Sequence, residues 1–293
     1  MKNQNQGMKT SMTSTVRSLL RALYGSVIAI AVFCALARNA DAAQLFASLP
    51  HENRVGKFDT ETERPIDFTF ITGLNVPTGL LTKGDTLFVA SSGNGTVGKY
   101  DANTGAAINA NFIAGLSLGR ISMVLSDNAL FVANAKSGTV GKYDAKTGAT
   151  INANFITGLA PGFGIWLALS GERLFVSDFS AGTVGEYKAT TGSATNAKFI
   201  TGLRGPQDLV VLGDKLLVAI DSDSTVAEYD AKTGTVINAN FITELFFLRA
   251  LALSGDKLFV SYNVWVGEYD AKTGTAIKIY FGDVGATFGI AVK

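Results

Sequence analysis

A short apolar motif, Val-Gly-Lys/Glu-Tyr/Phe-Asp, recurs six times along this chain. Its copies are centred on Val55, Val97, Val140, Val184, Val226 and Val266, at intervals of 42, 43, 44, 42 and 40 residues. Two copies depart from it, with Ala227 in place of Gly and Lys188 in place of the final Asp. A unit of this length cannot bury both faces of its own strands. It must be covered by the next unit, so the period constrains the architecture more than any single residue does.

Residues 119–159 show how one unit reads. Arg120 to Leu125 is mainly apolar and reads as a buried innermost strand. Ser126-Asp127-Asn128 is a turn, and Ala129 to Ala133 is a second strand. Asn134 to Gly138 is a polar loop, and Thr139 to Asp144 alternates as a half-buried third strand does. Ala145-Lys146-Thr147-Gly148 is a tight turn, entered by an Asp that can accept from the backbone two residues on and left by a Gly that supplies positive φ. Ala149 to Ile156 is the outer strand. Four strands in a unit of about 40 to 50 residues make one blade of a β-propeller.

The register also predicts how the ring closes. Second strands fall at Leu45, Leu87, Leu130, Leu174, Leu216 and Leu258. Innermost strands end near Thr82, Leu125, Leu169, Val211, Leu253 and Val292. Residues 43–293 therefore begin on a second strand and finish on an innermost one. The expected fold is all-β: a single six-bladed β-propeller of four antiparallel strands per blade, closed by the C-terminal innermost strand pairing with the N-terminal strands. Phe70, Phe112, Phe155, Phe199, Phe241 and Phe281 share one register on the outer strands, where they are expected to pack between neighbouring blades. The repeated Asn-Ala-Asn at 109–111, 152–154 and 238–240 lies on the same strands and offers no evident chemistry.

Residues 1–42 read as a secretory signal peptide. Lys2, Lys9, Arg17 and Arg21 precede an apolar run of 16 residues from Ala22 to Ala37, and Ala40-Asp41-Ala42 supplies the small-x-small end. The run is short for a membrane-spanning helix, which needs about 20 apolar residues. Export to the periplasm or the extracellular space follows, with no stable membrane span after cleavage. The only cysteine, Cys34, lies in this leader, so the remaining chain has neither thiol nor disulfide. Without residues 1–42 the chain carries 20 Lys and Arg against 23 Asp and Glu. That balance gives no footprint for a phosphate backbone and excludes nucleic acid as an expected partner.

The repeat resembles the NHL class of six-bladed propellers, and within it secreted bacterial proteins of near-identical repeats. Leu130 to Leu159 carries the likeness best, through Leu-Phe-Val-Ala-Asn, Gly-Thr-Val-Gly-Lys-Tyr-Asp-Ala-Lys-Thr-Gly-Ala and Ile-Asn-Ala-Asn-Phe-Ile-Thr-Gly-Leu. The resemblance implies the fold over nearly all of residues 43–293. It implies little about function, because propellers host lyases, lactonases, hydrolases and binding modules alike. The zinc lyases of related rings need several histidines, and this chain has only His51, in the loop His51-Glu52-Asn53. The Glu-Gly-Pro opening of the gluconolactonase type is absent from the sequence.

In a ring of such similar repeats, departures mark the candidate site. One rim carries the loops that lead into each innermost strand and those joining second to third strands. Blade four (the repeat of Val226) enters through Arg204-Gly205-Pro206-Gln207-Asp208 and has the rim loop Asp221-Ser222-Asp223-Ser224. Blade three offers Asp178 where blade two has Asn134. Blade five enters through Leu245-Phe246-Phe247-Leu248-Arg249 and has the rim loop Tyr262-Asn263-Val264-Trp265. The expected binding residues are Gln207, Asp208, Asp221, Asp223, Phe247, Arg249, Tyr262 and Trp265, an aromatic and polar platform for a protein or carbohydrate partner. The competing reading has Phe246 and Trp265 plug a shortened blade. Asp178, Asp208 and Asp221 are the carboxylates that would hold a metal, and calcium is the ion suited to such oxygens. Otherwise no cofactor is expected. The sequence thus favours an exported, monomeric, non-catalytic binding or scaffold module. Its alternatives are a metal-assisted hydrolase or lactonase working through acids at the central mouth, and a repeat-built surface protein with no small ligand.

Overall fold

The computed structural model describes residues 43–117, 119–283 and 287–293, without the side chains of 279–283. The leader assigned to residues 1–42 lies outside the described residues, as does the side chain of Phe281. Blade one comprises Pro77–Lys83, Thr86–Ser91, Thr96–Asp101 and Ala107–Ile113, from the axis outward. Blade two is Ile121–Leu125, Ala129–Asn134, Thr139–Asp144 and Thr150–Ile156. Blade three is Ile165–Ser170, Arg173–Asp178, Thr183–Lys188 and Ala194–Ile200. Blade four is Pro206–Leu212, Lys215–Ile220, Thr225–Asp230 and Val236–Ile242. Blade five is Leu248–Ser254, Lys257–Tyr262, Trp265–Asp270 and Ala276–Asp283. Blade six joins the two ends of the ring: Ile290–Val292 innermost, then Gln44–Leu49, Arg54–Asp59 and Pro65–Ile71. Among the described residues no helix is long and apolar enough to cross a membrane.

Closure runs in the expected register. Leu45, Phe46 and Ala47 face Val292, Ala291 and Ile290 across an antiparallel pair. The Gln44 and Lys293 backbones exchange both hydrogen bonds, at 3.0 and 2.9 Å. Ser48, fully buried, accepts from the Gly289 N–H at 2.8 Å and donates to the Thr78 carbonyl at 2.9 Å. One hydroxyl thereby ties both strands of the seam to blade one, satisfying polar groups that would be costly to bury unpaired.

The core is distributed between blades. Phe131, Val140, Phe155 and Ile156 of blade two meet Ile165, Leu167, Leu174, Val176 and Tyr187 of blade three in one apolar cluster. Equivalent clusters fill the other junctions, including the one across the seam, where Leu45, Ala47, Phe58 and Ile290 cover Ala250, Ala252, Phe259 and Val266 of blade five. The outer-strand Phe rings take part as expected: each of Phe70, Phe112, Phe155 and Phe199 also lies 5.3 to 5.6 Å from a second-strand Phe of its own blade.

The recurring motif has a steric reason. The aromatic ring of its fourth residue folds back over its second. A Cβ added at Gly98, Gly141, Gly185 or Gly267 would stand 2.5 to 2.7 Å from the ring of Tyr100, Tyr143, Tyr187 or Tyr269. The turn after the motif is built by its Asp. Asp144 Oδ1 accepts from the N–H groups of Lys146 and Thr147 and from the Thr147 hydroxyl, at 3.1, 2.7 and 2.7 Å. Its counterparts Asp101, Asp230 and Asp270 repeat the pattern, and these hydrogen bonds hold all four carboxyls below the usual carboxylate range.

A cation reaches from one blade to the turn of the next, but its source changes around the ring. In blades six and two, Lys57 and Lys142 on the third strand lie over paired Phe rings and donate to turn carbonyls of the following blade, at 3.2 Å (Ala102) and 3.1 Å (Ala189). In blades three, four and five the third strand carries Glu186, Glu228 and Glu268, each paired with a second-strand cation, Arg173, Lys215 or Lys257, while in blade five the donor to the turn carbonyls of the next blade, Thr60 and Glu61 at 3.2 and 3.1 Å, is Lys278 on the outer strand. These ion pairs are 2.8, 2.6 and 2.8 Å long, and the Arg173 guanidinium also donates to Ala231 of the next blade. Lys215 and Lys257 approach Glu228 and Glu268 off the line of a hydrogen bond, so both contacts are ion pairs alone.

The Asn-Ala-Asn triplets turn out to have a structural role. Asn109, Asn152 and Asn238 each accept from the N–H two residues on at 3.0 Å, where the outer strand slips register against the third. Bulges of this kind, with a side chain occupying an exposed N–H, blunt an edge against pairing with another chain.

If the seam carries the stability of the ring, Ile290→Ala should cost about 2 to 4 kcal/mol in chemical denaturation. Ile108→Ala, on an outer strand and 57% exposed, should cost little; equal losses would contradict the assignment.

Candidate functional site

All six innermost strands line a central channel of about 310 Å³. Its wall exposes polar and apolar surface in about equal measure, although the strands themselves are covered by their neighbours on both faces. Polar groups collect at the end where the strands begin, the rim on which the variable loops lie. There Arg120 of blade two reaches across the Trp166 ring towards blade four and donates to Gln207 Oε1 at a long 3.4 Å. Its guanidinium carbon is 4.6 Å from the ring centre of Phe288, and that of Arg249, from blade five, is 4.7 Å from the same ring. Burial first, then the positive charge of Arg249, pull the Arg120 pKa down to about 10, against the opposing pull of Asp221. It remains a cation at neutral pH.

Asp208 is the carboxylate of the channel wall. Its Oδ1 accepts from its neighbour Leu209 at 3.0 Å, and its Oδ2 from the Leu251 N–H of blade five at 2.9 Å. Burial outweighs both hydrogen bonds and pushes the carboxyl up to about 7. A sliver of the side chain reaches the lumen, but protein surrounds the rest.

The expected site residues separate into distinct places. Asp208 lines the channel, Gln207 and Arg249 meet its mouth through Arg120 and Phe288, and Asp221 lies near enough to act on Arg120 electrostatically. Asp223 is on the surface, paired with Arg204 at 3.1 Å. Tyr262 is buried in the cluster between blades four and five, and Trp265 packs against that cluster, so neither forms an open platform. Phe246, read as a plug, points outward at 64% exposed, and Leu245 fills the core in its stead. Phe247 is 63% exposed with a left-handed backbone, φ 55°. Gly205, in the incoming loop of blade four, has φ 72° immediately before its innermost strand, as Phe247 does before Leu248. Asp178 accepts from the Ala160 and Ala181 N–H groups at 2.7 and 2.9 Å, capping loop backbone. Asp178, Asp208 and Asp221 do not converge, and no group of three His, Cys, Asp or Glu suited to a metal occurs among the described residues.

Sequence reasoning passed over Arg120, Trp166, Phe288 and Phe163. The first had a usable signal: a charge at the mouth end of an otherwise apolar innermost strand. Phe163, 74% exposed, sits on the incoming loop of blade three and stacks on Phe179 at 5.6 Å.

No family model and no curated protein matches the chain. Solved structures match at the level of fold. A chain of a nidogen/laminin complex is 13% identical, with a TM-score of 0.71 over 86% of this chain and 98% of its own. A protein of unknown function from Bacteroides caccae is 16% identical, with a TM-score of 0.68 over 86% and 99%. The molecule is a six-bladed β-propeller.

Asp208 gives this site a pH signature. Its carboxyl ionises at 3.8 when unfolded and at about 7 when folded, so between these values the folded chain binds more protons. Stability therefore falls as pH rises through that window and levels off above it. Asp208→Asn cannot ionise, so its stability relative to the native protein should improve between about pH 5 and about pH 8 in urea titrations. A difference independent of pH would contradict the assignment.

Proposed function

We propose that this chain is an exported, monomeric, non-catalytic propeller of the NHL-repeat type that binds a protein partner through the rim of blades three to five. The observation that carries this reading is Phe247, a large aromatic exposed on a left-handed backbone where the fold asks for no side chain. A non-glycine residue pays about 1 to 2 kcal/mol for that conformation, and such strain clusters at functional positions. Phe246 and Phe163 stand exposed on the same rim, and the Arg204–Asp223 pair lies on the blade between them. Aromatics ringed by charges are the usual composition of a protein-binding hot spot. The nidogen/laminin match concerns a protein crystallised with another protein and carries no residue across. The leader-like residues 1–42 support export.

The hydrolytic reading has one observation in its favour, the Asp208 carboxyl near 7 inside a channel. Both of its oxygens already accept backbone hydrogen bonds, which fits a positioned wall residue better than an acid–base catalyst.

Phe247→Gly should leave the melting midpoint unchanged or raised, since Gly adopts positive φ without strain. Combined with Phe246→Ser, it should abolish retention of proteins that the native ring enriches from the secreted fraction of the source organism. Loss of glycan-array binding instead would move the reading to carbohydrate. Identical retention by native and doubly substituted protein would sink it.

A further inference from the structure

We propose that the channel mouth is a binding site for a small oxyanion, the carboxylate or phosphate group of a compact molecule, held by the guanidiniums of Arg120 and Arg249. The argument begins with charge. Two arginines lean on one phenylalanine ring, at 4.6 and 4.7 Å, and neither forms an ion pair among the described residues. Arg120 is largely desolvated, and its one hydrogen bond there, to Gln207, is long. Like charges brought together out of water raise the energy of the free protein unless an anion joins them.

Nearby carboxylates do not discharge the pair. Asp221 acts on Arg120 only at a distance, and Asp208 directs its oxygens to the Leu209 and Leu251 N–H groups. The guanidinium donors left over are planar forks that match carboxylate and phosphate oxygens. Phe288 and Trp166 supply apolar surface beside the guanidiniums.

Size narrows the ligand. The adjoining channel, which Arg120 and Phe288 line and Arg249 does not, is about 310 Å³, near the lower limit of small-molecule pockets, roughly 300 to 1,000 Å³. It accommodates a metabolite-sized acid and excludes a polymer chain. The site is separate from the rim aromatics, so Phe247→Gly should leave it intact, and the two readings can fail independently.

The test is calorimetric titration of the purified full chain with sodium malonate and with sodium phosphate, each against sodium chloride at matched ionic strength. One saturable site for either oxyanion is expected, and whichever binds identifies the group recognised. Arg249→Gln and Arg120→Gln should each weaken binding about ten- to a hundredfold, the loss of a charge-assisted hydrogen bond. Arg249→Lys should recover only part, because it keeps the charge without the fork. If Arg120→Gln fails to fold, the Arg249 variants decide alone. Heats no greater than those of chloride, or equal affinity in the native protein and in Arg249→Gln, would overturn the proposal.

Discussion

Each blade face of this molecule is covered by the face of its neighbour, and the rest of the structure depends on that mutual cover. A blade of four strands has no apolar interior of its own; the Phe and Tyr rings of one repeat find their partners on the next. Such an arrangement leaves two open faces unless it becomes a ring. The chain solves this by splitting one blade between its ends, so that three residues of a short terminal strand complete a cluster from both sides of the seam. Ser48 makes the seam specific as well as tight, since its hydroxyl reads both the strand across the seam and blade one.

The polar features of the repeat serve the same stacking. A Gly in the motif makes room for a Tyr ring, and an Asp-built turn presents carbonyls to the cation of the preceding blade. That cation stands on the third strand in blades six and two, on the second strand beside Glu186 in blade three, and on the outer strand as Lys278 in blade five. Arg173 keeps a positive charge over the Phe175–Phe199 pair, as Lys57 and Lys142 do over the pairs of their own blades. The interaction tolerates a change of donor because it is electrostatic and the long side chains can reach it from either strand.

The departures from the repeat gather at one rim and at one end of the channel. The innermost strands are mostly apolar in sequence, and the charged residues that line the channel, Arg120 and Asp208, sit where the strands begin. Two kinds of site result. The rim loops of blades three to five expose aromatics, one of them on a strained backbone, while the mouth gathers Arg120, Asp208 and Phe288, with Arg249 set against the Phe288 ring. The first is an open surface, the second a recess.

Blade number, strand order, turn positions and the closing strand were all legible in the sequence, because each follows from local patterns repeated at a fixed interval: period-two alternation, Asp-x-x-x-Gly turns and the six copies of the motif. Part of the site was legible too. Departures from the repeat pointed to Gln207, Asp208, Arg249 and Phe247. What they could not separate was Tyr262, which fills a core, from Phe246, which faces outward, since both are aromatics in the same blade and only packing distinguishes them. Nor could the sequence join Arg120 to Arg249 and Phe288, which lie far apart along the chain and meet because the ring brings every innermost strand to one axis. The repeat determined the ring; closure of the ring decided which side chains share a space, and therefore what the space can bind.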